Sequence, residues 1–135
     1  MIIVFKIVTG EDIIGTVNLP DGSNLGDMDP IDIVDPMYIV EMEGGGMKLR
    51  DACMLAADDI LSVDPNSVVS YYYPSAAFIE YYNKASHYAR TFTRDVINNQ
   101  IIASVYDLEE QMKEDQRSAE RISDILMKIT GSTLQ

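Results

Sequence analysis

Apolar and polar positions alternate in short runs through the first half of the chain and recur at helical spacing through the second. Residues 2–8 form an apolar, β-branched run that stops at Thr9-Gly10-Glu11-Asp12, and Ile13 to Leu19 resumes strand character until Pro20, which predicts a β-hairpin. Gly10 supplies the positive φ of the turn, whereas Gly15 inside the second strand predicts a sharp bend or bulge. Residues 20–30 collect proline, glycine, asparagine and aspartate and predict a loop. A third strand follows at about 31–42, in which Pro36 requires an edge, a bulge or a bend. Gly44-Gly45-Gly46 turns the chain into a fourth strand over 47–57 that ends near Asp58-Asp59. A fifth, over 67–73, is β-branched and aromatic and ends at Pro74, whose fixed φ suits the first turn of a helix.

Helical periodicity takes over at Ser75. Phe78, Tyr82, Ala85 and Ala89 are spaced four, three and four apart, one apolar face of a short amphipathic helix. From Ile101 onward, Val105, Leu108, Met112, Asp115, Ala119, Ile122, Leu126 and Ile129 alternate four and three apart, the seam of a heptad repeat that Asp115 alone interrupts. Ser104 to Asp107 resembles a capping box with aspartate for glutamate, so a break near 104–107 competes with one continuous helix from about 95; the long helix, kinked or straight, is the preferred reading. Gly131 is a natural stop, and Ser132 to Gln135 are expected to fray. The chain is thus mainly β with α: a five-stranded unit over 1–73, a short helix over 74–90 packed on it, and a helical extension over 91–135.

A chain of 135 residues with 47% hydrophobic positions suits one domain with a short appendage. The single cysteine, Cys53, excludes an internal disulfide framework and a four-cysteine zinc site, and favours a reducing compartment. The amino terminus lacks the pattern of a signal peptide and no run approaches a membrane span, so a soluble, cytoplasmic protein with no membrane partner is expected. The net charge is −12. Residues 1–83 hold three basic side chains against fourteen acidic ones, while residues 84–135 hold seven against eight. Such a balance opposes a large electrostatic footprint for nucleic acid and leaves room only for a local basic spot.

Catalytic chemistry is sparse. His87 is the one histidine and has no partner at a metal-binding interval, Asp27-Met28-Asp29 lacks the later carboxylates of a calcium loop, and Gly44-Gly45-Gly46 lacks the lysine and the strand-to-helix context of a phosphate loop. The carboxylate pairs Asp58-Asp59 and Glu109-Glu110 read as surface pairs and receive no role. No catalytic residue, metal or cofactor is therefore expected, and the chain reads as non-enzymatic. Tyr71, Tyr72 and Tyr73, with Tyr81, Tyr82 and Tyr88, have the type of side chain that stacks on bases, but aromatic strands beside an amphipathic helix more often make core or subunit contacts.

The segment Gly10-Glu11-Asp12-Ile13-Ile14-Gly15-Thr16-Val17, following an extended strand, resembles the first motif of the Sm and Sm-like proteins, the superfamily that includes bacterial Hfq. The stretch Tyr73-Pro74-Ser75-Ala76-Ala77-Phe78-Ile79-Glu80-Tyr81-Tyr82-Asn83 resembles the strand-to-helix passage of Sm-like proteins of tailed phages, including cyanophages. The first resemblance covers residues 1–73 and implies a small, strongly bent, five-stranded antiparallel barrel. Where the family places an RNA-reading asparagine and an Arg-Gly pair, this chain has Asp35 and Asp64-Pro65, so both usual readers are replaced. The remaining RNA-binding candidates are Asp35, Lys48, Arg50 and Asn66, on a rim with tyrosines. The resemblance also implies a closed ring of about five to seven copies, in which the fourth strand of one copy, with Leu49, Cys53 and Leu55, pairs with the fifth strand, Val68, Val69, Ser70, Tyr71, Tyr72 and Tyr73, of the next. The implied role is a scaffold in phage-related RNA metabolism or host takeover, in the host cytoplasm, with RNA or another protein as further partner. The alternative is a single-stranded RNA-binding ring.

Overall fold

A computed structural model of the protein describes residues 1–20 and 22–133. The strands are β1 (Ile2–Ile7), β2 (Asp12–Thr16), β3 (Ile31–Glu41), β4 (Met47–Asp51), β5 (Ile60–Val63) and β6 (Val68–Tyr72). They are followed by α1 (Ala76–Tyr88), one π turn (Ala89–Thr93) and α2 (Arg94–Thr133). The chain divides into two compact units, residues 1–94 and residues 95–135.

In the first unit all strand pairs are antiparallel, in the order β4-β3-β2-β1-β6, with β5 on β3 next to β4. β3 is the spine: its second half, Met37 to Glu41, pairs with β4, and its first half, Ile31 to Val34, pairs with β5. The two halves are separated by a bulge. Thr16 pairs with Val34 and Ile14 with Met37, so Gly15 alone spans Asp35 and Pro36. Pro36, which has no N–H to give to a ladder, fits there, and Asp35 takes φ 51°. Gly15 is required because a Cβ at that position would lie 2.2 Å from Ile33 Cγ2 and 3.2 Å from the Val34 carbonyl oxygen. The hairpin turn between β1 and β2 has Gly10 at φ 92°, as its spacing implied.

The bend gives the sheet two buried faces. Ile3, Phe5, Ile13, Val17, Leu25, Ile31, Ile33 and Val63 fill one. Val4, Ile14 and Met37 line the other and are covered by Tyr82 and Ala89 of the helical segment, with Phe78 and Ala85 beside them. The four-three-four spacing of those helical residues is therefore the face that α1 buries. Each fully buried aliphatic or aromatic side chain contributes roughly 1.5–3 kcal/mol. The Ser75 hydroxyl caps α1 by accepting a hydrogen bond from the Phe78 N–H at 3.3 Å.

Several boundaries differ from expectation. The fourth strand stops at Asp51 rather than continuing to 57, and Ile60–Val63 is an additional strand, so there are six rather than five. The reason is Asp51: its side chain accepts from the Cys53 N–H at 2.9 Å, and this turns the chain away from β3 before it returns as β5. The described strands form an open sheet with β4 and β6 at its ends. The second strand ends at Thr16 rather than Leu19.

The second unit is helical. No break occurs at 104–107, since α2 runs without interruption, and Ser104 donates its hydroxyl to the Gln100 carbonyl instead of capping a new helix. Gly131 does not stop the helix, which holds through Thr133. Leu134 and Gln135, expected in the frayed end, lie outside the described residues. Residues 98–131 are exposed along their whole length, and no helix among the described residues is long and apolar enough to cross a membrane.

Candidate functional site

Two features of the first unit stand out: a network of ionic and polar groups at the β3 bulge, and the free edges of the sheet. The bulge network starts at Asp35. Its N–H donates to the Asp59 carbonyl at 2.7 Å, its carbonyl accepts the Tyr82 hydroxyl at 2.7 Å, and its carboxylate lies 3.7 Å from the Arg90 guanidinium. Arg94 forms a two-pronged pair with Asp51, one of its hydrogen bonds being 2.9 Å, and a further pair with Asp59. The Asp51 side chain is 6% exposed. Burial by itself pushes this carboxyl up, but the Arg94 guanidinium and the Cys53 N–H outweigh it and hold the carboxyl below its ordinary value. Arg94, bonded to Asp51 and Asp59, is held charged. Burial and the neighbouring Asp51 charge push the Cys53 thiol up, so it stays protonated and unreactive. All these groups are engaged with one another, and the arrangement is structural.

Tyr82 is 2% exposed, and its hydroxyl is pushed up to about 12, chiefly by burial and then by the Asp35 charge. A group whose folded pKa is raised stabilises the fold fully below its unfolded pKa, about 10 for tyrosine, and loses that contribution as the pH climbs toward the folded value. The expected result is that Tyr82 adds a loss of about 1.4 kcal/mol between pH 9 and pH 11. Tyr82→Phe should abolish this component while costing about 1–2 kcal/mol at neutral pH for the unsatisfied Asp35 carbonyl. Urea unfolding of both proteins at the two pH values checks it, and identical slopes would refute it.

The RNA-binding candidates lie on β3, on β4 and in the turn before β6. Asp35 is committed to the bulge. The Arg50 guanidinium lies 5.1 Å from the centre of the Tyr38 ring, opposite it in the β3–β4 ladder. It lines a cleft that also contains Lys6, Glu11, Asp12 and Glu41, so acidic groups surround the basic ones. Lys48 is exposed two residues away on β4. Asn66 sits in the short turn before β6, where its N–H donates to Asp64 at 2.9 Å. Among the described residues, no hydrogen bond or ion pair joins any two of these four.

The strand edges are placed differently. Among the described residues β6 pairs with β1 only, and its other edge carries no strand. Val69, Tyr71 and Tyr72 are exposed on it, as is Tyr73 just beyond, and Tyr71 and Tyr73 meet edge to face with ring centres 6.4 Å apart. A cleft of about 400 Å³ lined by Leu25, Ile31, Pro65, Val69 and Tyr71 runs beside this edge. At the opposite end of the sheet β4 is open beyond β3; there Leu49 packs beneath the helix-covered face, Cys53 is buried, and Leu55 is exposed in the following turn.

Sequence reasoning missed the Arg94–Asp51–Asp59 network and gave Asp58-Asp59 no role. Its partners are 43 and 35 residues apart in the chain, and only the fold brings them together. His87 is exposed in the last turn of α1, and among the described residues no group of three or more His, Cys, Asp and Glu is arranged to hold a metal. No protein-family model matches the chain, and no curated protein matches it.

Proposed function

We propose that this chain is a non-enzymatic Sm-like protein that assembles through its sheet edges into a closed ring of about five to seven copies, working as a scaffold in phage-related RNA metabolism or host takeover in the host cytoplasm. The observation that carries the reading is the free edge of β6. Five residues, Val68 to Tyr72, carry no charge and no proline, and three of them expose large apolar or aromatic side chains. An edge of that kind is a template for another strand unless a partner takes it. The other end of the sheet offers a second open strand, β4, so each copy has a donor and an acceptor edge. Head-to-tail contacts of this type close into rings when the rotation between copies permits. The antiparallel sheet, bulged opposite Gly15 and packed on both faces, supports a small barrel completed by neighbours.

The charge of the first unit and the acidic surroundings of Arg50 favour the scaffold over direct RNA binding. Light scattering after gel filtration tests the reading. The wild-type chain should elute as one defined multiple of the chain mass. Val69→Lys combined with Tyr71→Lys should open the ring, lowering the mass to at most two chains, while retaining the β signal in circular dichroism, because both side chains are already in solvent in the single copy. A wild-type monomer at every concentration would overturn the proposal.

A further inference from the structure

We propose that the heptad seam of α2, residues 101–129, is covered by the same seam of a second copy of this chain. Its apolar members are wide open in the single copy: Ile101 is 43% exposed, Val105 49%, Leu108 57%, Met112 62%, Ile122 59%, Leu126 57% and Ile129 56%. With Ile125 on the flank, also 56% exposed, these side chains offer on the order of 800 Å² per helix at about 100 Å² each. That matches the roughly 800 Å² per partner of a standard interface. A helix with nothing packed on it is marginal in water, because helical stability comes mainly from burying one face.

The occupant follows from the repeat and from the charges. Taking Ile101 as position d, the a positions hold Val105, Met112, Ala119 and Leu126, and the d positions hold Ile101, Leu108, Asp115, Ile122 and Ile129. A 3.5-residue period is the geometry in which two such helices interlock side chain into gap. Of the eleven charged residues between 101 and 131, nine fall at b, c and f, on the far side; the exceptions are Glu109 at e and Asp115 at d. Two copies can therefore approach seam to seam with almost no charge between them, although the whole chain is acidic. Asp115 is also the midpoint of 101–129. In a parallel pair Asp115 faces its own copy across the seam, and like charge weakens the contact; in an antiparallel pair it faces an apolar a position and is buried without a partner. An apolar replacement strengthens the contact in either orientation.

This inference does not rest on the pairing of sheet edges, and the experiment separates the two. The full chain carrying Val69→Lys and Tyr71→Lys is diluted in sedimentation equilibrium. Self-association should persist, Asp115→Leu should move its midpoint to at least tenfold lower concentration, and Leu108→Glu with Leu126→Glu should leave a monomer throughout. If the edge substitutions impair folding, the wild-type edge is kept and the helical signal at 222 nm is read, which the Leu108→Glu, Leu126→Glu pair should lower at every concentration. A monomeric edge-blocked chain at about 0.1 mM, an unmoved midpoint in Asp115→Leu, or an unchanged 222 nm signal would overturn the proposal. So would a seam that binds anionic vesicles in place of a second copy.

Discussion

Replacing Arg94 by methionine is expected to lower the unfolding free energy of the sheet-containing unit by about 3–5 kcal/mol, because it leaves the Asp51 carboxylate buried without its counter-charge. For a unit of this size that is a fall in Tm on the order of 15–30 °C. The pH dependence identifies the cause. Asp51 has a folded pKa below its unfolded value, so its contribution is present above about pH 3.9 and is lost as the pH falls through the lower folded value. In Arg94→Met the guanidinium that lowers it is gone, burial raises it, and protonation relieves the penalty. The gap between wild type and variant should therefore narrow from pH 7 to pH 4. Adding Asp51→Asn should recover part of the loss, since the buried charge is removed with its partner. A constant gap across pH, or a cost below about 1 kcal/mol as for a surface pair, would show that the pair is not doing this.

The second large effect is expected at Gly15. Gly15→Ala should cost about 1–3 kcal/mol, and Gly15→Val more, because the new carbon meets a β-branched methyl of the fully buried Ile33 and the backbone of Val34 and Pro36. Neither neighbour can swing aside. Ile33→Ala alone should cost about 2–5 kcal/mol by cavity formation. Combined with Gly15→Ala, the total should be smaller than the two costs added, since the deleted methyl frees the space that the new one enters. Chemical denaturation of the four proteins closes the cycle, and strict additivity would mean that the strands do not cross as closely as described.

Legibility in the sequence followed the range of the interaction. The β1–β2 hairpin, the bend at Gly15, the bulge at Pro36 and the helix face of Phe78, Tyr82, Ala85 and Ala89 each depend on neighbours within a few residues, and each was readable. β5 was not. It is four residues long, lies between Asp58-Asp59, where the fourth strand was expected to end, and the fifth strand, and its partner is the first half of β3, far away in the chain. Asp51 falls inside the expected fourth strand with nothing local to mark it, since its partner Arg94 is 43 residues away, and Tyr82 reads as one more helix-face aromatic, since the Asp35 carbonyl at its hydroxyl is 47 residues away. The heptad spacing was readable, but the helix boundaries were not: Ser104 carries a start signal and Gly131 a stop signal, and α2 runs through both.

The wide turn between the helices has a consequence of angular phase. At Ala89–Thr93 the Arg94 N–H donates five residues back, to the Ala89 carbonyl, rather than four. One extra residue is taken up in that loop of the spiral, which amounts to a rotation of about 100° at Arg94. An unbroken α-helix of the same sequence would bring Thr93 round to the place that Arg94 occupies, and a neutral hydroxyl would stand before the carboxylates of Asp51 and Asp59. The slip in winding is thus what delivers a cation to the bulge.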